Sequence, residues 1–204
     1  MQRFQVIAFA GAWLLAGAGL SGCEPVTLVV GAGATAGYAA AQERGLKQAA
    51  VDTGIKVGVS ERLLQKSVDL FGKISVAVVE GRVLLTGAVR SDADKDAASQ
   101  LAWPSDGVRE VINEIQVTDG GDLADVGGDA WITTRLRAAL IGDRYVSDIN
   151  YSIETVNGVV YLIGIAQDAN EVNRVTDHAR TIAGVRRVVS HVLTKDDPRR
   201  QKPS

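Results

Sequence analysis

Trp131, Thr134, Arg135 and Ala138 fall at i, i+3, i+4 and i+7, the spacing that places side chains on one face of a helix. An indole beside a guanidinium has a specific chemistry. The ring suits a boundary that is wet on one side and apolar on the other. The guanidinium can grip a phosphate through two N–H groups. Arg137 and Arg144 add positive charge nearby, and the free N–H groups of a helix's first turn would favour the same anion. The alternative is that Trp131 packs between domains and the arginines are solvated. Other candidates for chemistry are few. One cysteine and two histidines allow no internal disulfide and leave little material for a transition-metal site. His178 and His191 lack a spaced Cys, His or carboxylate partner and read as structural or exposed. Asp92, Asp94 and Asp96 open a helix, where they oppose its dipole. No nucleophile–base or carboxylate pair emerges. The expectation is therefore no enzyme, no catalytic or metal residue and no cofactor.

Composition agrees. A hydrophobic fraction of 46% with 23% charged residues is that of a folded chain, and a net charge of −2 argues against a nucleic-acid partner. The first segment stands apart. Met1-Gln2-Arg3 carries one positive charge, and the apolar run Phe4 to Leu20 suits a signal-peptide core better than a membrane span. It ends in Leu20-Ser21-Gly22-Cys23, which resembles the lipobox of bacterial lipoproteins. That resemblance implies a signal peptide over 1–22, cleavage before Cys23, and diacylglycerol and acyl chains on Cys23. More than one chain is needed for stable anchoring, each buried CH₂ contributing about 0.8 kcal/mol. Glu24 follows where an Asp would favour the inner membrane, so the resemblance favours the outer one. Residues 23–50 read as an Ala/Gly-rich tether; Gly31, Gly33 and Gly37 miss the G-x-G-x-x-G spacing of a phosphate loop.

The elements that position the Trp131 face come from an internal repeat. Asp52, Ile55, Leu63, Gly81, Val83, Leu85, Gly87, Gly107, Val108, Arg109 and Val111 recur as Asp129, Ile132, Leu140, Gly158, Val160, Leu162, Gly164, Gly184, Val185, Arg186 and Val188. The offset is 77 positions throughout and needs no gap, which marks a duplicated module. The chain divides into a first module over 51–118, a Gly-rich linker over 119–128, a second module over 129–195 and a tail over 196–204 that reads as disordered. Modules this small are near the lower limit for an independent core, so the two are expected to pack together.

Each module begins with an amphipathic helix, its apolar stripe being Ile55, Val59 and Leu63 or Ile132, Leu136 and Leu140. Asp52 and Asp129 are expected near the helix starts as capping carboxylates. A β-hairpin follows, turning at Glu80-Gly81 or Asn157-Gly158. Gly87 and Gly164 suggest close backbone approach. Ser91-Asp92 and Asp168 start a second helix that ends near Gly107 or Gly184, and Val108–Val117 or Val185–Thr194 makes the last strand. Trp103, before Pro104, reads as core or interdomain packing. The fold class is α+β: two tandem αββαβ modules, each a three-stranded mixed sheet packed with two helices.

The hairpin with V-x-L-x-G and the later G-V-R-x-V strand resemble the BON domain. With the lipobox and tether, the whole is similar to the dual BON-domain outer-membrane lipoproteins, the division and outer-membrane stress-associated lipid-binding protein family. The stretch Trp131-Ile132-Thr133-Thr134-Arg135-Leu136-Arg137 is especially similar to their second domain. The resemblance implies a lipid-anchored protein on the periplasmic side of the outer membrane. It implies anionic phospholipid bound by the second module, where the face of Trp131, Thr134, Arg135 and Ala138 is the expected contact, and a role in envelope integrity and stress. The competing expectation is a structural adaptor for an envelope protein or an outer-membrane assembly machine. That reading requires an exposed apolar patch on one module. The matching positions in the first module are Gly54, Val57, Gly58 and Glu61, so only the second offers an aromatic and a cation there. Oligomeric state has no signature in the sequence.

Overall fold

The computed structural model describes residues 45–118 and 126–200. The expected signal peptide, Cys23 and the Gly31–Gly37 stretch lie outside the described residues. In chain order the elements are α1 (Gly45–Lys66), α2 (Val68–Lys73), β1 (Ile74–Val79), β2 (Arg82–Val89), α3 (Asp92–Ala102), β3 (Glu110–Asn113) and β4 (Gln116–Val117). The second module has α4 (Val126–Ile141), a 3-10 turn (Asp148–Asn150), β5 (Tyr151–Val156), β6 (Val159–Ala166), α5 (Ala169–Thr181) and β7 (Arg187–Thr194), followed by a 3-10 turn at Pro198–Arg200.

The fold is α+β, in two tandem modules of one design. In each, a hairpin pairs antiparallel and the last strand joins parallel beside its second strand: β1-β2-β3/β4 and β5-β6-β7. Both hairpins turn on two left-handed residues, Glu80 (φ 53°) with Gly81 (φ 74°) and Asn157 (φ 51°) with Gly158 (φ 73°). Two such residues make the turn whose twist matches paired strands. Gly87 and Gly164 are required by space. A Cβ on Gly87 would sit 2.0 Å from the Lys73 carbonyl oxygen, and one on Gly164 2.4 Å from that of Asn150.

Strand alternation gives each sheet two dry faces. Val76, Val78, Val83 and Leu85 point to the helices, where they meet Ile55, Val59, Leu63, Ala98 and Ala102. The second module repeats this core with Ile153, Val160 and Leu162 against Ile132, Leu136, Leu140, Val175 and Ala179. The opposite faces form a third core that joins the modules: Ala77, Val79 and Leu84 against Val156, Val159, Tyr161, Ile163 and Ile165. The layers are therefore helices, sheet, sheet, helices. Leu84 and Tyr161 are essentially fully buried in the seam, each burial contributing on the order of 2 kcal/mol.

The seam is an approximate two-fold. β1 lies against β6 and β2 against β5, a reciprocal pairing. Glu114 meets His191 at 2.9 Å, and these residues are 77 positions apart, each the other's counterpart. Counterparts touch only near the two-fold axis. Several of the seam's polar groups are satisfied individually, whereas the buried Thr86 hydroxyl of β2 finds no hydrogen-bond partner among the described residues. Buried Arg82 donates to Glu110 at 2.6 Å and to the His191 carbonyl at 2.8 Å. Gln116 donates to the Val156 carbonyl at 3.0 Å and the Tyr161 hydroxyl at 3.1 Å, and accepts from Asn157 at 2.9 Å.

Several expectations need correction. Both first helices start earlier than the repeat implied, at Gly45 and Val126; Leu46 to Ala50 favour the extension of α1, whereas α4 opens through Gly127 and Gly128 against their helix propensity. Asp52 thus lies well inside α1, and its carboxylate accepts from the backbone N–H groups of Glu80 (2.8 Å) and Gly81 (2.9 Å). Asp129 does the same for Asn157 (2.7 Å) and Gly158 (2.8 Å). Both aspartates bind hairpin to helix; Asp129 does so from the first turn of α4, near the helix start as expected, whereas Asp52 is far from one. The second helices stop at Ala102 and Thr181, and Gly107 and Gly184 form a later left-handed turn, at φ 92° and 87°. The first module's last strand breaks between Asn113 and Gln116. There the Asn113 side chain turns away to donate to the Lys95 carbonyl and the Ser99 hydroxyl. The tail, expected to be disordered from residue 196, is ordered through Arg200. Arg200 pairs with Glu80 at 3.0 and 2.8 Å, and Arg109 donates to the Arg199 carbonyl at 2.9 Å.

Candidate functional site

α4 presents two faces because its apolar residues recur every fourth position. Ile132, Leu136 and Leu140 enter the core of the second module. Trp131, Thr134, Arg135 and Ala138 are all exposed on the other side, away from the seam between the sheets. Trp131 keeps 49% of its surface open to solvent. The reading that packs this indole between the modules is excluded. The Arg135 guanidinium sits 5.6 Å from the Trp131 ring centroid, within cation–π reach. The Thr134 hydroxyl donates to the Ala130 carbonyl at 2.8 Å, leaving its oxygen able to accept. Because α4 begins at Val126, Trp131 lies beyond the first turn, so that turn's free N–H groups stand apart from the Trp131–Arg135 pair.

The face extends past the helix end to residues that the spacing rule did not reach. Ile141 and Tyr145 are exposed. Tyr145 lies between two guanidinium groups, Arg144 at 4.6 Å and Arg174 at 4.9 Å from its ring centroid. Asp143 holds this corner. It meets His178 at 2.8 Å and Arg174 at 3.3 Å, and accepts from the Tyr145 backbone N–H at 3.0 Å. The hydrogen bond from His178, then that from the Tyr145 N–H, hold the Asp143 carboxyl below its usual range. His178 is thus a structural partner of Asp143, and His191 a seam residue.

The matching face of α1 differs. Gly54, Val57 and Glu61 are exposed and Gly58 is half-buried. This surface is apolar with one acid, and it continues through exposed Leu64, Val68 and Phe71. Trp103, expected in a core or in the seam, is exposed instead. It follows α3 directly, where Ala98 and Ala102 already fill the core-facing positions.

Sequence comparison places the architecture in a family. The model of the BON domain matches residues 51–119 and again residues 128–196. The chain belongs to the BON-domain family. Its relatives include a protein of Anaplasma centrale described as an uncharacterized protein in the gshII 5′ region, 40% identical over 145 residues, which are 71% of this chain and 95% of that one. The outer membrane lipoprotein DolP of Haemophilus influenzae is 31% identical over 172 residues, covering 83% of this chain and 87% of DolP. The osmotically-inducible protein Y of Escherichia coli is 28% identical over 152 residues, 74% of each chain. Among the described residues, no helix is long and apolar enough to cross a membrane.

Proposed function

We propose that this BON-domain chain is a lipid-anchored envelope protein that binds anionic phospholipid through the exposed face of α4. Acyl chains on Cys23 hold it to the periplasmic side of the outer membrane. Trp131, Thr134, Arg135 and Ala138 meet the headgroup layer, in support of envelope integrity. The observation that carries the reading is the solvent-facing Trp131 with Arg135 over its ring, on the module whose twin has glycine at both positions. The likeness to an outer membrane lipoprotein supports the anchor and the location. Anchor and headgroup contact act together, because the anchor keeps α4 at high effective concentration near the bilayer.

Co-sedimentation of the full chain with vesicles tests this. Binding is expected to vesicles containing phosphatidylglycerol and to fall for Trp131→Ala and Arg135→Glu. Unchanged binding by both variants removes α4 as the contact. A second reading is an adaptor that docks an envelope protein or an outer-membrane assembly machine. The exposed Val57, Leu64, Val68 and Phe71 of the first module favour it, since an apolar patch of this kind marks contact surfaces. A chain that ignores anionic vesicles but loses a protein partner on Val57→Glu would support the adaptor instead.

A further inference from the structure

The second module carries an exposed aromatic ring flanked by cations twice. The first is Trp131 with Arg135, early in α4. The second lies just past the other end of that helix. Tyr145 is 58% exposed, with the Arg144 guanidinium 4.6 Å and the Arg174 guanidinium 4.9 Å from its ring centroid. Arg144 also donates to the Tyr145 hydroxyl. The counterparts of Arg144, Tyr145 and Arg174 are Ser67, Val68 and Ala97, so the first module has neither the ring nor the cations.

The two clusters belong to one surface. Thr134, Ala138 and Ile141 fall at i, i+4 and i+7, so exposed Ile141 continues the row that Trp131, Thr134 and Ala138 begin. At about 1.5 Å of rise per residue, roughly 15 Å of helix separates Trp131 from Ile141, with Tyr145 beyond it. One phosphate cannot touch both clusters. The surface between them is of one sign. From Trp131 to Tyr145 the exposed residues include Arg135, Arg137 and Arg144 and no acid. Asp143, the acid of this stretch, has a side chain only 11% exposed and is held by Arg174 and His178. Among the described residues, no carboxylate pairs with Arg135, Arg137 or Arg144.

We propose that Tyr145, flanked by Arg144 and Arg174, is a second point of contact with an anionic bilayer, so that α4 lies along the membrane surface and engages several headgroups at once. This rests on the reading that α4 meets lipid. Both rings suit the headgroup level. The guanidinium groups take phosphates. Ile141, between the rings, enters the acyl boundary as the apolar side of an interfacial helix does. The occupant is a lipid surface and not an acidic protein segment, because Ala138 and Ile141 offer a peptide backbone no polar side chain between the clusters.

A reporter at this corner tests the proposal. Tyr145→Trp is made in the full chain with Trp13→Phe, Trp103→Phe and Trp131→Phe. Emission is read on the protein that sediments with vesicles. Phosphatidylglycerol bearing bromine near the headgroup is expected to quench it, and neutral brominated vesicles are not. Adding Arg144→Glu is expected to cut the quenching about fivefold, as for charge reversal at an anionic surface. An unchanged thermal melt shows that the fold is intact in each variant. Absent quenching at this position, in a preparation whose Trp131 is quenched, overturns the second contact and leaves the α4 reading standing. If neither position is quenched, both fall. Quenching that is equal in neutral vesicles, or that ignores Arg144→Glu, also overturns the proposal. So does emission that responds to polyglutamate and ignores the vesicles, which assigns the corner to an acidic protein segment.

Discussion

α1 and α4 descend from one helix, share one buried stripe and differ on the opposite side. Each buries an isoleucine and a leucine at matching positions and an aspartate that clamps its hairpin. Outward, α1 shows Gly54, Val57 and Glu61, whereas α4 shows Trp131, Thr134, Arg135 and Ala138. What packing requires stayed common to both modules, and what faces outward diverged. A difference confined to the exposed side cannot be explained by the core.

The shared side can be broken first. Asp52→Ala and Asp129→Ala each leave two turn N–H groups, one buried and one half-buried, without their carboxylate acceptor. Each is expected to lose about 3 kcal/mol in chemical denaturation, and clearly unequal losses would show that the modules do not rely on the clamp alike. Next come Gly87→Ala and Gly164→Ala, where a Cβ would collide with a backbone carbonyl in both modules. About 2 kcal/mol is expected for each, with more at Gly87 because its φ of 131° also disfavours a side chain.

The divergent side is sharpened by exchange. Trp131→Ala with Arg135→Glu should weaken sedimentation with anionic vesicles about tenfold without moving the thermal melt, as for an exposed anchor pair. Gly54→Trp with Gly58→Arg should give α1 part of that binding. There is open space at Gly54, and only the flexible Arg62 and the Ser105 hydroxyl lie near Gly58. Failure of the graft would place the activity in more of the second module than these positions.

The smallest effect is one of pH. The Asp143 carboxyl is held below its usual range by His178 and the Tyr145 N–H. A lowered folded value gives stability that is present above the unfolded carboxylate pKa of about 3.9 and is lost as pH falls through the folded value. Hydrogen exchange should show residues 142–146 loosening as pH falls below the usual carboxylate range, an effect that Asp143→Asn abolishes. The first module has Lys66 at this position and should show no such loosening there.

The repeat made the fold legible. Eleven matched residues at one offset gave both hairpins, both helix stripes and the packing of two small modules together. The Trp131 face was legible for the same reason, because the twin module served as its control. What sequence spacing could not reach was contact across the fold. Asp52 and its turn are separated by 28 residues, and only the packed module brings them together. The recurrence of an aspartate amid apolar matches was the signal available, and a cap was the nearer local explanation. Trp103 misled because its size suggests burial, whereas Ala98 and Ala102 leave it no inward space. The tail was read from its composition, but Arg200 finds Glu80 only after the sheets have paired.

Quenching of Trp131 emission by brominated lipid tests the central claim most directly, in a chain where Trp103 and Trp13 are changed to Phe. The account predicts that phosphatidylglycerol vesicles bearing bromine near the headgroup quench and blue-shift this emission, while neutral vesicles do neither. Emission that stays unquenched while the protein sediments with anionic vesicles would contradict it.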